Sequence, residues 1–185
     1  MFLLTALIAC TPYLYTDETD DGGDASDWEV PENTWYNEAP PADLVAEGFS
    51  TGQVPPDFRM LDQHGDEVSL WQFYGQLVLI DISTLWCAPC RDLAEDAEET
   101  YQHYIDAGFT YITLLPQDEG YAVPDQGDLA YWADYFGITA PVLSDSEEWY
   151  LGVTPGDADS FPALMLIGCD MRILESEIIP KTDVQ

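Results

Sequence analysis

The chain has few positive charges and no long apolar run, and each shortage excludes a class of protein. Only four of its 185 residues are Lys or Arg, against 36 Asp or Glu, so the formal net charge is −32. Nucleic acids and anionic membrane surfaces are recognised by clustered Lys and Arg. No stretch reaches the roughly 20 apolar residues of a membrane-spanning helix. The sequence therefore predicts neither a nucleic-acid-binding protein nor one that spans a bilayer.

Apolar residues, by contrast, are plentiful. Hydrophobic residues make up 46% of the chain and aromatic residues 13%, which is more than a disordered chain carries. At least one packed domain is expected, and the length allows one domain with an appendage. The excess of acid fits either a surface adapted to high salt or an exported protein with an acidic surface.

The first ten residues are apolar apart from Thr5 and the final cysteine, and they end in Leu7-Ile8-Ala9-Cys10. This ending resembles the lipobox of bacterial lipoproteins, in which the signal peptide is cleaved before a cysteine that receives diacylglycerol. The resemblance implies a signal peptide over residues 1–9, a lipidated Cys10 and an extracytoplasmic, membrane-anchored protein on the periplasmic side. The apolar stretch is short and no Lys or Arg precedes Arg59. An apolar tail with an incidental cysteine is the alternative.

Residues 10–50 are dense in Asp and Glu and contain Gly22-Gly23 and Pro40-Pro41. Like charges along a chain repel and extend it, and Gly and Pro interrupt regular structure. We interpret residues 10–50 as an acidic tether and residues 51–185 as the domain. Trp28, Trp35 and Tyr36 are candidates for packing of the tether on the domain.

Hydrophobic patterning from about Val54 onward predicts an α/β domain with a mixed sheet. Strands are predicted as a hairpin of Phe58–Leu61 and Glu67–Leu70, then Leu77–Ile82, Phe109–Leu115, Pro141–Leu143, Ala163–Ile167 and Met171–Ile179. The run Leu77–Ile82 is continuously apolar except for Asp81, as expected for a strand buried on both faces. Apolar spacing after Pro89 predicts one helix that ends at Gly108, and a second helix is predicted over Asp128–Phe136.

Two cysteines separated by two residues, Cys87-Ala88-Pro89-Cys90, follow the predicted strand and open the predicted helix. A helix N-terminus stabilises a thiolate on the first cysteine, and this spacing lets the second cysteine resolve a mixed disulfide. A zinc site needs four ligands, and the chain has no second such pair, while His64 and His103 are isolated. A structural disulfide is the other alternative. Redox chemistry is the favoured interpretation, and no metal site is expected.

Taken together, these elements resemble the thioredoxin-like superfamily, in particular its membrane-tethered thiol-disulfide oxidoreductases of the TlpA type. The resemblance spans about residues 54–179 and implies a thioredoxin-like fold, with a central mixed β-sheet flanked by helices and an N-terminal hairpin extension. The matching motifs, in the family's order, are Pro55-Pro56-Asp57-Phe58, Val68-Ser69-Leu70, Tyr74-Gly75-Gln76, Trp86-Cys87-Ala88-Pro89-Cys90-Arg91, Phe136-Gly137-Ile138-Thr139-Ala140-Pro141-Val142-Leu143 and Phe161-Pro162-Ala163-Leu164.

The resemblance implies roles for individual residues. Cys87 corresponds to the nucleophile and Cys90 to the resolving thiol. Pro162 corresponds to the cis-proline facing the cysteine pair, and it lines a substrate groove together with Trp86 and Phe161. The implied activity needs no cofactor beyond the redox-active pair. The implied partners are protein thiols or disulfides and an upstream electron donor, and the protein is expected to be a monomer that reduces extracytoplasmic protein disulfides.

Asp81 lies six residues before Cys87, where thioredoxin keeps a buried acid below its active site. A carboxylate in an apolar strand is costly unless it has a partner or a function. We expect Asp81 to be buried, with its pKa raised, and to exchange a proton with Cys90. An Asp that faces solvent at a strand end is the alternative.

Several positions depart from the family pattern. Ala163 stands where Thr usually follows the cis-proline, and Phe161 before it is bulky, so partner choice is expected to differ. Cys169 is predicted in the final turn, either buried or available to another molecule. A peroxiredoxin is an alternative function, since Thr84 fits the pattern Pro-x-x-x-Thr-x-x-Cys, but Ile80 replaces its proline. A non-catalytic binding module of the same fold is a further alternative.

Overall fold

The computed structural model describes residues 24–153 and 161–178. Its strands are β1 (Arg59–Leu61), β2 (Glu67–Ser69), β3 (Leu77–Ile82), β4 (Phe109–Leu115), β5 (Val142–Ser144), β6 (Ala163–Ile167) and β7 (Ile173–Ile178). Its α-helices are α1 (Ala88–Ala94), α2 (Ala97–Tyr104), α3 (Gln126–Phe136) and α4 (Tyr150–Val153). The predicted order of the strands is confirmed, whereas the structure has two helices where one was predicted after Pro89, and the short α4 was not predicted.

Five strands form one sheet in the order β5-β4-β3-β6-β7. Strands β3, β4 and β5 run parallel, whereas β6 runs antiparallel to β3 and β7 antiparallel to β6. The predicted mixed sheet is therefore confirmed. The β1–β2 hairpin stands apart as a two-stranded antiparallel sheet, with Gly65 at φ +85° in its turn. It forms the predicted N-terminal extension.

The central strand β3 has apolar side chains on both faces of the sheet. Val78, Ile80 and Ile82 belong to one apolar cluster, while Leu77 and Leu79 pack against a second. Successive side chains of a strand point to opposite faces, so β3 is buried from both sides, as predicted. The second cluster contains both cysteines of the pair. The redox pair is thus built onto the core rather than onto a peripheral loop.

The single helix predicted between Pro89 and Gly108 is wrong, because the structure has two helices with a turn at Glu95 and Asp96. A continuous helix would place Asp92 beside Asp96 and Glu95 beside Glu99, and like charges four residues apart destabilise a helix. Gly108 still ends the segment, in the left-handed conformation with φ +81°.

The C-terminal strand begins later than predicted, at Ile173 rather than Met171. Met171 has φ +61° and lies in the turn after β6, so it cannot extend the strand. The predicted end at Ile179 lies outside the described residues.

Residues 24–50 of the predicted tether contact the domain. The indole N–H of Trp28 donates to the Ser69 hydroxyl at 2.9 Å, and that of Trp35 donates to Asp62 at 2.6 Å. Arg172 of the domain forms an ion pair with Glu47 at 2.8 Å. The domain boundary at residue 51 stays a prediction. The signal peptide over 1–9 and the lipidated Cys10 lie outside the described residues, and no helix within the described ranges is long and apolar enough to cross a bilayer.

Candidate redox site

The cysteine pair lies where β3 ends and α1 begins. Cys87 and Cys90 form a disulfide with an S–S distance of 2.14 Å and a Cα–Cα distance of 5.3 Å. Cys87 is the N-cap of α1, and its sulfur accepts the backbone N–H of Cys90 at 3.2 Å. Pro89 fits the first turn because its missing N–H has no helical partner there. Cys87 is 4% exposed and Cys90 is fully buried, so an incoming group reaches Cys87 first.

Pro162 lies at the same end of the sheet as the cysteine pair. The Phe161–Pro162 peptide bond is cis, which confirms the predicted geometry. Because Ala163 pairs with Ile82 of β3, Pro162 lies level with Ser83. Ser83 begins the loop of residues 83–87 that joins β3 to α1, which we call the redox loop. The Phe161 ring meets the Trp86 ring edge-on, with centroids 6.0 Å apart. The structure therefore brings the predicted groove residues together, and their role in substrate binding stays a prediction.

Asp81 is fully buried, as predicted. Ser83 donates its hydroxyl to one carboxylate oxygen at 2.6 Å, and Tyr111 donates its hydroxyl to the other at 2.9 Å. Burial raises the pKa of Asp81 to about 6, partly offset by these two hydrogen bonds. The buried state and raised pKa of Asp81 are thus confirmed. Proton transfer to Cys90 stays a prediction.

Tyr111 is a site residue that the sequence analysis missed. It lies on β4 and belongs to the same apolar cluster as Cys87 and Cys90, so it links that cluster to the Asp81 carboxylate. Burial and the neighbouring Asp81 both raise the pKa of the Tyr111 hydroxyl, which therefore stays protonated and available as a donor. The signal available in the sequence was a single tyrosine within the predicted strand Phe109–Leu115. The structure shows that all seven residues of this strand are buried.

Arg91 is the only Lys or Arg between the start of β3 and the end of β4. Its guanidinium donates to the Leu85 carbonyl at 3.3 Å and to the Tyr131 hydroxyl at 3.4 Å. It also lies 5.2 Å from the ring centroid of Tyr135 and 5.7 Å from that of Phe136. This cation ties the redox loop to α3.

The remaining candidate residues have other surroundings. Cys169 lies in the turn after β6, as predicted, and is half-buried; its carbonyl accepts the Gly75 N–H at 2.9 Å. His64 stacks on Trp35 with centroids 5.9 Å apart, and His103 meets Tyr104 edge-on at 4.5 Å. Over residues 24–153 and 161–178, no group of three or more His, Cys, Asp or Glu is placed to hold a metal ion.

Comparisons with known proteins agree with this geometry. Residues 51–150 match the family described as AhpC/TSA. The chain is similar to the thioredoxin-like protein YneN of Bacillus subtilis, with 27% identity over 100 residues, which cover 54% of this chain and 56% of YneN. It is also similar to the thiol-disulfide oxidoreductase ResA of Bacillus thuringiensis, with 24% identity over 70% of each chain. The chain therefore spans little more than half the length of YneN.

Solved structures share the fold. The thioredoxin domain of a thiol-disulfide oxidoreductase from Bacteroides vulgatus matches with a TM-score of 0.58 and 22% identity, over 70% of this chain and 89% of that one. A thiol:disulfide interchange protein from Chlorobium tepidum matches with a TM-score of 0.59 and 17% identity, over 75% of this chain and 91% of that one. At these identities the similarity establishes the thioredoxin-like fold.

Proposed function

Since the chain belongs to the AhpC/TSA family of thioredoxin-like proteins, we propose that it is a thiol-disulfide oxidoreductase that reduces disulfides of extracytoplasmic proteins. The observation that carries the proposal is the Cys87–Cys90 disulfide at the start of α1, level with the cis-proline Pro162. The relatives named as thiol-disulfide oxidoreductases support the same reaction.

The first step uses the reduced pair. The Cys87 thiolate attacks one sulfur of a substrate disulfide, so that a mixed disulfide forms and the other substrate sulfur leaves as a thiolate. The unpaired N–H groups and the dipole at the start of α1 favour the thiolate on Cys87, which is the N-cap. Its small but non-zero exposure makes Cys87, rather than the fully buried Cys90, the attacking sulfur.

The second step releases the substrate. Cys90 loses its proton and attacks the Cys87 sulfur, so that the Cys87–Cys90 disulfide forms and the second substrate sulfur leaves. Two electrons have then passed from the protein to the substrate, and a dithiol electron donor must reduce the pair again. Asp81 is the proposed proton acceptor for Cys90, because a carboxyl with a pKa of about 6 exchanges protons near neutral pH.

The charges around the pair support a reducing direction. Strong oxidants of this kind stabilise their thiolate with positive surroundings. Here Arg91, the one arginine that the described residues place at the start of α1, is held by the Leu85 carbonyl and the rings of α3. Asp92 and Glu95 follow it at exposed positions. We expect a reduction potential closer to about −270 mV, where reducing dithiols lie, than to about −120 mV, where strong oxidants lie.

We also propose that the protein works as a monomer on the outer side of a bacterial membrane, anchored through Cys10. The lipobox-like Leu7-Ile8-Ala9-Cys10 supports this location. Labelling of cells with a radioactive or clickable fatty acid tests it: the wild-type chain should be labelled and a Cys10→Ser variant should not. Equal labelling of both chains would contradict the anchor.

Single-cysteine variants test the reaction. Wild-type protein should accelerate the reduction of insulin disulfides by dithiothreitol, and Cys87→Ser should lose that activity. Cys90→Ser should accumulate covalent adducts with substrate that dithiothreitol releases, because the mixed disulfide on Cys87 is not resolved. Adducts with Cys87→Ser in place of Cys90→Ser would invert the two roles. A wild-type protein that reduces no disulfide would instead favour a non-catalytic binding module.

A thiol peroxidase is the second candidate, and one observation favours it. Thr84 is fully buried, and within the described part of the chain its hydroxyl has no hydrogen-bond partner. Its carbonyl accepts the Cys87 N–H at 3.2 Å, so the threonine lies beside the reactive cysteine. Peroxide consumption by the reduced protein, compared with Thr84→Val, separates the two functions. Wild-type consumption faster than insulin reduction, and lost in Thr84→Val, would favour the peroxidase.

A further inference from the structure

The loop after β4 presents an exposed tyrosine to the redox site. Asp118 builds this loop: its carboxylate accepts the N–H groups of Gly120 at 2.6 Å and Ala122 at 2.9 Å. Its backbone N–H also donates to the Ala122 carbonyl at 2.7 Å. The closed loop holds Tyr121 at φ +64°, in the left-handed region. For a residue other than Gly this conformation costs about 1 kcal/mol or more.

The Tyr121 ring lies against Trp86, with centroids 5.4 Å apart, yet it remains 68% exposed. Trp86 is fixed from the same loop, because its indole N–H donates to the Gln117 side chain at 3.0 Å. Trp86 in turn meets Phe161, the residue before the cis-proline. Tyr121, Trp86 and Phe161 therefore form a continuous row of rings that includes the residue before Cys87, and we call this row the aromatic surface.

The stability of the fold does not explain why a tyrosine occupies position 121. Gly would adopt the same φ without cost, and a ring that is two-thirds exposed adds little burial to the core. Strained residues of this kind cluster at ligand clamps and active sites. The strained position keeps a large, mostly uncovered ring against Trp86, the residue before Cys87.

The negative charge of the protein indicates which kind of polypeptide would bind to the aromatic surface. Asp118 and Glu119 belong to the same loop, and the whole protein carries a net charge of −32. Each arginine of the described ranges is already engaged: Arg59 with Glu67, Arg172 with Glu47, and Arg91 with the Leu85 carbonyl. An acidic surface of this kind attracts basic partners and repels acidic ones.

We propose that the aromatic surface is a specificity subsite, in which Tyr121 binds an aromatic side chain next to the reacting cysteine of a basic protein segment. This inference rests on the proposed oxidoreductase function and adds a substrate class to it. Tyr121 takes no part in electron or proton transfer. It acts on the affinity for the segment that carries the disulfide.

Three disulfide probes test the proposal. The first is a peptide disulfide with Trp beside the reacting cysteine and two Lys nearby, the second has Ser in place of Trp, and the third is hydroxyethyl disulfide, which has no side chain to bind. Tyr121→Ala should lower kcat/KM for the Trp peptide about five-fold, through KM, since an aromatic pair contributes on this scale. Its rates on the Ser peptide and on hydroxyethyl disulfide should stay within about two-fold of wild type. Tyr121→Phe should retain the preference for Trp.

Two further variants separate binding from structure. Tyr121→Gly relieves the positive φ, so it should unfold at an equal or higher denaturant concentration while losing the Trp preference. Tyr104→Ala removes another exposed tyrosine beside Phe109, at the opposite end of β4, and should leave the preference unchanged. Equal fold-changes on the Trp and Ser peptides, or none in Tyr121→Ala, would overturn the subsite. A wild-type protein inactive on all three probes would instead overturn the proposed function.

Discussion

Two aspartates, Asp62 and Asp81, are both fully buried, and within residues 24–153 and 161–178 neither is paired with a cation, but their donors differ. Asp62 accepts three N–H groups: the backbone N–H groups of His64 and Asp66, and the indole of Trp35. Asp81 accepts two hydroxyls, from Ser83 and Tyr111. The first carboxylate closes the hairpin turn and secures the N-terminal segment. The second lies near the end of β3, the strand that leads to the cysteine pair.

The hydroxyl donors around Asp81 suit a carboxyl that changes its protonation state. An N–H can only donate, so its partner must remain an acceptor. A hydroxyl both donates and accepts, so it can serve an ionised carboxylate and, after rotation, a protonated one. The surroundings of Asp81 therefore tolerate both protonation states, as a proton carrier requires.

The same substitution at the two sites should therefore have effects on stability that are similar in size and opposite in sign. Asp62→Asn should lower the free energy of unfolding by roughly 3 kcal/mol, because an amide N–H₂ replaces an acceptor and leaves a buried donor without a partner. Urea denaturation at pH 7 measures the change. A loss below about 1 kcal/mol would contradict the structural role of the N–H network.

Asp81→Asn should stabilise the protein at pH 8 by about 3 kcal/mol and have little effect at pH 4. The folded pKa of Asp81, about 6, lies above the ordinary 3.8. The wild type is therefore most stable below pH 3.8 with respect to this group, and it loses that contribution as the pH rises through 6. The variant has no group to ionise.

Denaturation of both proteins between pH 4 and 8 measures this difference. The same variant should reduce disulfides more slowly near neutral pH. A rate identical to wild type from pH 6 to 9 would place Asp81 outside the mechanism.

Tyr111→Phe should lower the free energy of unfolding by about 1 kcal/mol at pH 8, and by less at pH 4, because the lost hydroxyl serves the ionised carboxylate best. Its hydrogen bond lowers the pKa of Asp81, so the variant should raise that pKa above 6. An NMR titration of the Asp81 carboxyl carbon measures the shift. An unchanged pKa would show that Tyr111 only fills space.

The smallest expected change in the free energy of unfolding is for a substitution at the surface. Arg172→Gln removes the exposed ion pair with Glu47 and should cost about 0.5 kcal/mol or less, since exposed pairs are screened by water and salt. Thermal unfolding at low and at 1 M NaCl measures it. A loss as large as that of Asp62→Asn would mean that ion pairing, rather than the buried N–H network, holds the N-terminal segment.

Much of the site was accessible from local sequence pattern. Strands β3, β4 and β6 have the predicted bounds, because each is a short apolar run bounded by Gly, Pro or polar residues. The Cys87–Cys90 pair and the cis-proline Pro162 were identified from spacing and resemblance. The helix after Pro89 was mispredicted, because periodicity records apolar faces and ignores repulsion between Asp92 and Asp96.

The class of chemistry could be predicted from the sequence, because a cysteine pair at a strand-to-helix junction is local: the cap, the helix dipole and the spacing all lie within four residues. The surroundings of that pair, in contrast, depend on the three-dimensional packing of distant segments. Tyr111 reaches Asp81 because parallel pairing aligns β4 with β3. Tyr121 reaches Trp86 because the loop after β4 closes on Asp118. These contacts join residues about 30 positions apart in the chain, and long-range pairing of this kind depends on strand register and packing rather than on local pattern.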